Sequence, residues 1–297
     1  MVTHGRRRTV LRRLPCDSTI EVAAVLDFLG AHAVPGVETY AGGVYTRVVV
    51  ARGGPALVSL AVVEGGVEAT IRTAAGNDVD AIAALTRSLL DLDTDPHAVD
   101  DALGSNPDLG PLVASRPGLR APGSIDGFET AVRTVVGQQI SLAGARTVLG
   151  RIVAEHGEVA FGDDPGWRCF PTPERLAAVD PSTLPMPRAR GRSVQALSAA
   201  VARGEVALDG PSLDDRAAWR ASLLGLPGIG PWTADYLAMR VARDRDVLLG
   251  TDLVVKRAAA ELGIELHDGR PDWAPWRTYA TYHLWAHLVA DQWRAQR

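Results

Sequence analysis

An α+β fold is what this sequence predicts: a small N-terminal antiparallel sheet with helices on one face, then a mainly helical remainder. Three observations lead there. Apolar stretches at 44–52, 56–64 and 67–73 read as strands, and Gly53-Gly54 and Gly65-Gly66 between them are tight-hairpin chemistry. Val22, Val25, Leu26 and Leu29 recur at helical spacing behind Ser18-Thr19-Ile20-Glu21, a capping-box pattern. From about Asp93 onward the pattern is helical, with short Pro/Gly-rich connections.

Taken in order, residues 9–14 form a first strand and the capped segment a first helix. The three strands follow, and Asn77 or Asp78 caps a second helix carrying Ile82, Leu85, Leu89 and Leu92. The expected order over residues 1–100 is therefore β-α-β-β-β-α, and residues 101–297 are a helical core. Arg116-Pro117-Gly118-Leu119-Arg120 and Pro122-Gly123 form a linker. The helical region at 126–154 breaks at Gly137-Gln138-Gln139-Ile140-Ser141. Residues 162–166 form a loop, and Pro171-Thr172-Pro173-Glu174 opens the next helix with proline in its first turn.

Composition narrows the function classes. Of the 297 residues, 46% are hydrophobic and 22% charged, ordinary for a soluble globular protein. There is no apolar run long enough to span a bilayer and no signal-peptide layout, so a cytoplasmic location and no membrane partner are expected. Two cysteines, Cys16 and Cys169, exclude a four-cysteine cluster built by this chain alone. A net charge of −4 argues against a generally basic nucleic-acid binder, yet a local set of backbone amides can still hold phosphate. His283 and His287 stand four apart, but no third ligand accompanies them, and no metal site is expected.

Residues 224–256 carry most of the functional information. Leu-Gly-Leu-Pro-Gly-Ile-Gly-Pro-Trp-Thr-Ala-Asp-Tyr reads as helix, tight turn, helix, because Pro227 and the glycines cannot continue a helix. Gly228 and Gly230 lack side chains, so a phosphate can approach the amides at the positive end of the second helix. About twenty residues later, Gly250-Thr251 precedes Asp252 at the head of another helical run, with Thr251 expected as its cap. Taken alone, an aspartate there serves the helix start, and a lone hairpin is an ordinary αα-turn.

The combination of hairpin and aspartate in this register resembles the helix-hairpin-helix–Gly/Pro–Asp superfamily of DNA base-excision glycosylases, and within it the AlkA-type 3-methyladenine DNA glycosylase II. Residues 116–145, 169–197 and 223–285 carry the likeness best. The resemblance implies two helical subdomains flanking a cleft. Asp252 would stabilise positive charge on the deoxyribose as the N-glycosidic bond breaks. Gly228, Ile229 and Gly230 would hold a DNA phosphate, assisted by a monovalent cation, with no other cofactor required. Trp285, Trp232 and Tyr236 would stack on the damaged base, with hydrophobic core as the competing reading for each aromatic residue.

Gln139 would fill the gap left by the flipped nucleotide, where the familiar pattern has leucine. Leu253 likewise departs from a tyrosine. Members that also cut the strand carry a lysine where this chain has Trp232, and Lys256, the chain's one lysine, does not match that position. The resemblance therefore implies a monofunctional, monomeric glycosylase acting on duplex DNA with alkylated bases. A glycosylase for uracil, hypoxanthine or an oxidised purine, or a non-catalytic hairpin protein that binds DNA, stand as alternatives. Some AlkA-type chains carry a cysteine-rich methyl-accepting module, and none is present in these residues.

Overall fold

The computed structural model describes residues 7–16, 19–74, 78–208 and 215–294. Five strands, β1 (Arg7–Pro15), β2 (Glu38–Ala41), β3 (Val44–Ala51), β4 (Gly54–Val63) and β5 (Gly66–Ala74), form one antiparallel sheet in the order β1-β5-β4-β3-β2. Helices α1 (Thr19–Ala31) and α2 (Val79–Leu89) pack on it over Leu26, Leu29, Val58, Leu60, Ile71 and Ile82. Asp78 caps α2 by accepting from the amides of Asp80 and Ala81. Ser18 and Asn77, the other expected capping residues, lie outside the described residues.

Two details depart from the expected order. An additional edge strand, β2, precedes the three hairpin strands, so the order is β-α-β-β-β-β-α. Four residues are too few for an alternation to show, and β2 is recognised through its pairing with β3, Glu38 opposite Arg47. The sheet's other face is not left bare either. The segment bridging Val159 to Arg168 lays Phe161 and Ala160 against Val48, and the guanidiniums of Arg7 and Arg72 sit 4.7 and 5.1 Å from the Phe161 ring.

The rest is helical: α3 (Pro96–Gly104), α4 (Gly110–Ser115), α5 (Gly127–Gly137), α6 (Leu142–His156), α7 (Pro173–Ala177), α8 (Arg188–Ala202), α9 (Arg216–Leu224), α10 (Pro231–Arg240), α11 (Leu253–Glu261) and α12 (Arg277–Arg294). Ser141 caps α6 after the break, and Thr172 caps α7 ahead of Pro173. Two buried clusters divide these helices. One joins Phe128 and Val132 of α5, Leu149 of α6, Val194 of α8 and Leu237 of α10. The other joins Leu103 of α3, Val113 of α4, Val255 of α11 and Tyr279 and Trp285 of α12. Helix α10 gives Leu237 to the first and Met239 to the second, so it spans the seam between them. No helix among the described residues is long and apolar enough to cross a membrane.

A buried ion network ties the sheet to α5. Arg47 of β3 reaches Glu38 of β2 at 3.2 Å and Glu129 of α5 at 2.8 Å. Arg133, one turn further along α5, bonds both carboxylates and the carbonyl of His32. Tyr45 Oη and the Val34 amide also donate to Glu38. Burial alone would push the Glu38 carboxyl up, but the two guanidiniums outweigh it and hold it well below the usual carboxylate range.

His283 of α12 is buried, its Nε2 has no hydrogen-bond partner, and burial with the nearby Arg116 charge pushes its pKa down to about 3. As pH falls below about 6.5 the unfolded chain takes up this proton before the folded one. The stability is complete above 6.5 and lost progressively toward pH 3. The loss expected from His283 at pH 4.5 is about 2–3 kcal/mol relative to pH 7. Urea unfolding at the two pH values checks this: His283→Leu should shrink the difference by about that amount and leave a similar loss from the buried His32, whose pKa is lowered to about 4.

Candidate active site

A cavity of about 340 Å³ opens at the seam between the two helical clusters. Trp232, Tyr236 and Arg240 of α10 form one wall, Asp252, Val254 and Trp285 another, and Ile140 and Leu142 stand at the break between α5 and α6. Phe28, Leu29 and His32 at the end of α1 complete it, with Glu38, Arg47 and Arg133 of the ion network.

Asp252 is the N-cap of α11, one residue earlier in role than expected. Thr251 does not cap this helix. The Asp252 carboxylate does so itself, Oδ1 accepting from the amides of Val254 at 2.9 Å and Val255 at 3.0 Å. A short carboxylate performs this task as well as a threonine hydroxyl, which is why sequence alone could not separate the two. The same carboxylate binds both indoles: Trp285 Nε1 donates to Oδ1 at 3.0 Å and Trp232 Nε1 to Oδ2 at 2.9 Å. Oδ1 thus takes three N–H donors and Oδ2 one, leaving lone-pair capacity on Oδ2 beside the cavity.

The three candidate aromatic residues come together. Trp232 and Tyr236 stack with centroids 5.4 Å apart and planes at 18°, as their spacing on one helix face allows. Tyr236 lies 6.2 Å from Trp285, which is braced edge-on by Tyr282 at 5.1 Å. Trp285 is also 8% exposed and belongs to the second core cluster, so lining the cavity and filling the core are one task for this residue. Leu253, by contrast, is 81% exposed and does not line the cavity, and Lys256 is exposed on α11.

The hairpin joins α9 to α10 through residues 225–230. Gly228 has φ of +80°, and a Cβ there would stand 2.1 Å from Ser193 Oγ, so both backbone shape and space demand glycine. The Ile229 side chain is buried in the first helical cluster, and its amide donates to Leu226 O at 3.2 Å within the turn. Gly230 is the N-cap residue of α10, whose first residue is Pro231. Gln139 is exposed at the α5–α6 break with φ of +57°, a left-handed backbone that lifts it out of the preceding helix. Neighbouring Gln138 links the two features: its Nε2 donates to Gly228 O and to Thr233 Oγ1, both at 3.1 Å. Arg190 of α8 in turn donates to the Gln138 carbonyl at 2.5 Å, giving one member of the Arg188, Arg190, Arg192 cluster a definite partner.

Several lining residues carry no sequence signal for a site. The N-terminal unit shows nothing resembling chemistry, yet it contributes Phe28 and His32. The Arg240 guanidinium lies 5.1 Å from the Phe28 ring and 5.7 Å from the Tyr236 ring, and bonds Tyr236 Oη at 2.7 Å and Gly123 O at 2.9 Å. His283 and His287 do not converge, the first being buried and the second exposed.

A two-cluster helical body, a Gly-Pro hairpin, and a single aspartate facing an aromatic cavity define a helix-hairpin-helix DNA glycosylase fold. Comparison with known proteins agrees. The AlkA N-terminal domain family matches residues 11–126. The chain is 37% identical to DNA-3-methyladenine glycosylase 2 of Escherichia coli over 279 residues, covering 88% of this chain and 92% of that one. It therefore belongs to the AlkA family of 3-methyladenine DNA glycosylases. It is also 40% identical to the probable bifunctional transcriptional activator/DNA repair enzyme AlkA of Mycobacterium tuberculosis, over 97% of this chain, and spans 59% of that relative's length. Among solved structures, the 3-methyladenine DNA glycosylase of Archaeoglobus fulgidus superposes with a TM-score of 0.75 over 94% of this chain and 98% of that one at 18% identity, a likeness of fold.

Proposed function

We propose that this chain is a monofunctional DNA glycosylase that hydrolyses the N-glycosidic bond of alkylated bases, chiefly 3-methyladenine, in duplex DNA and leaves an abasic site for base-excision repair. One observation carries the reading: a single carboxylate is held by the indole N–H groups of two tryptophans that themselves wall an aromatic cavity.

The steps follow from that geometry. The lesion leaves the stack, at a cost of roughly a few kcal/mol. Its plane is received beside the Trp232–Tyr236 pair and Trp285, where a base made cationic by N3 alkylation is attracted to electron-rich ring faces. The C1′–N bond breaks with its electron pair going to the base, which departs neutral. Positive charge develops on C1′ and the ring oxygen, and the Asp252 carboxylate stabilises it. Water adds to C1′ and loses its proton, with the lone-pair capacity of Oδ2 placed to orient it. Trp232 has no amine to offer, so no covalent sugar intermediate forms through that position.

On this reading Gly228, Ile229 and Gly230 present the hairpin backbone to a phosphate at the start of α10, and Gln139 enters the duplex beside them. The carbonyls ending α9 carry partial negative charge, hard-oxygen donors suited to a monovalent cation in the same turn. The enzyme acts as a monomer in the bacterial cytoplasm.

The test is a panel of duplexes, each bearing one lesion: 3-methyladenine, 7-methylguanine, hypoxanthine, uracil or 8-oxoguanine. Release of free base is measured at each. The expected result is fastest release of 3-methyladenine with the strand left uncut. Release of uracil or 8-oxoguanine alone would overturn it.

A further inference from the structure

The far end of the cavity presents an asymmetric polar surface. From Asp252 the lining runs through Trp232, Tyr236 and Arg240 to Phe28, and the His32 ring lies against Phe28 with centroids 4.3 Å apart. The polar groups around His32 are already engaged. Arg133 is bound to Glu38, Glu129 and the His32 carbonyl, and Arg240 to Gly123 O and Tyr236 Oη. Thr134 Oγ1 donates to Thr130 O at 2.7 Å.

His32 itself is fixed by Nδ1, which lies 2.7 Å from the Phe28 carbonyl. A carbonyl can only accept, so Nδ1 carries the proton. Burial, with the charges of Arg133 and Arg240 and against that of Glu38, pushes the pKa down to about 4, so the ring is neutral near pH 7. Nε2 is then an acceptor. It has no hydrogen-bond partner among the described residues, and it is not one of the sealed unpartnered atoms of the interior.

We propose that His32 is a specificity residue whose Nε2 accepts a hydrogen bond from the distal edge of the extruded base, selecting alkylated adenines over alkylated guanines. The inference rests on the proposed glycosylase function. With the sugar carbon at Asp252, a purine's six-membered ring points away from the carboxylate along this wall. Position 6 there is an amine on adenine, which donates, and a carbonyl on guanine, which only accepts. An acceptor facing a carbonyl is left unpaired in a partly desolvated site, and that mismatch supplies the discrimination.

The experiment uses the full chain and duplex DNA methylated with dimethyl sulfate, measuring initial rates of release of 3-methyladenine and 3-methylguanine. Both bases are N3-methylated and cationic, and they differ at position 6 and by guanine's 2-amino group and N1–H, so the change in ratio between wild type and variant, not the ratio itself, reads the contact at His32. The wild-type ratio should favour 3-methyladenine. His32→Phe, which keeps a ring against Phe28 but has no acceptor, should lower that ratio about five- to tenfold. His32→Arg, which offers only donors, should lower it further. A ratio unchanged within twofold in either variant that melts like the wild type overturns the proposal. If wild type releases neither base, the glycosylase reading itself fails.

Discussion

Asp252→Asn should lower base excision about a thousandfold while leaving affinity for lesion-bearing duplex intact. The substitution isolates the charge. Asparagine caps helices as well as aspartate, so the amides of Val254 and Val255 keep their acceptor and α11 keeps its start. What disappears is the negative charge opposite the sugar and one acceptor for an indole N–H. Single-turnover release of 3-methyladenine, set beside binding to the same duplex, separates the outcomes. Full excision by the variant would remove the chemical role assigned to this residue. Equal loss of binding and excision would make Asp252 a structural cap only. Asp252→Ala is the less informative variant, because it adds a lost cap worth about 1 kcal/mol to any catalytic effect.

Arg47→Met should be the most destabilising exchange at the junction of sheet and helices, at about 3–5 kcal/mol. Arg47 and Glu38 are 5% and 3% exposed, and Glu129 is equally enclosed at 3%. Two arginines and two glutamates balance there, and removing one guanidinium leaves a carboxylate uncompensated in the interior. Arg133 still reaches both glutamates, so the collapse is partial. Urea unfolding of the variant against wild type gives the figure, and a loss under 1 kcal/mol would show that the network is energetically idle. Because Glu38 and Arg47 also line the cavity, excision should fall in parallel with stability.

How much of this was legible in the sequence depends on how local the signal is. The strands at 44–52, 56–64 and 67–73 emerge within two residues of their ends, because apolar runs and paired glycines are written into adjacent positions. The hairpin at residues 225–230 and the helix start at Asp252 are equally local. Trp232 and Trp285, 53 positions apart, became candidates through family likeness, and their common bond to Asp252 is visible only in three dimensions. The four-residue β2 could not be read because its identity lies in its pairing with β3.

Phe28 and His32 are hidden for a related reason. Phe28 and Leu29 look like one more apolar pair on an amphipathic helix, and their approach to Arg240 and Trp232 comes from chain separated by some two hundred residues. Gln138 is a polar residue at a helix break, and nothing nearby in the chain announces its partner at Gly228.

That last contact has a mechanical consequence. On the proposed reading, one glutamine side chain links the turn offered to the phosphate with the loop that carries Gln139. The interval along a bound strand between the phosphate at the hairpin and the base pair at Gln139 would then be set by protein geometry, like the jaws of a fixed calliper. On that reading every base pair passing through the site would be gauged at the same distance, whatever its sequence.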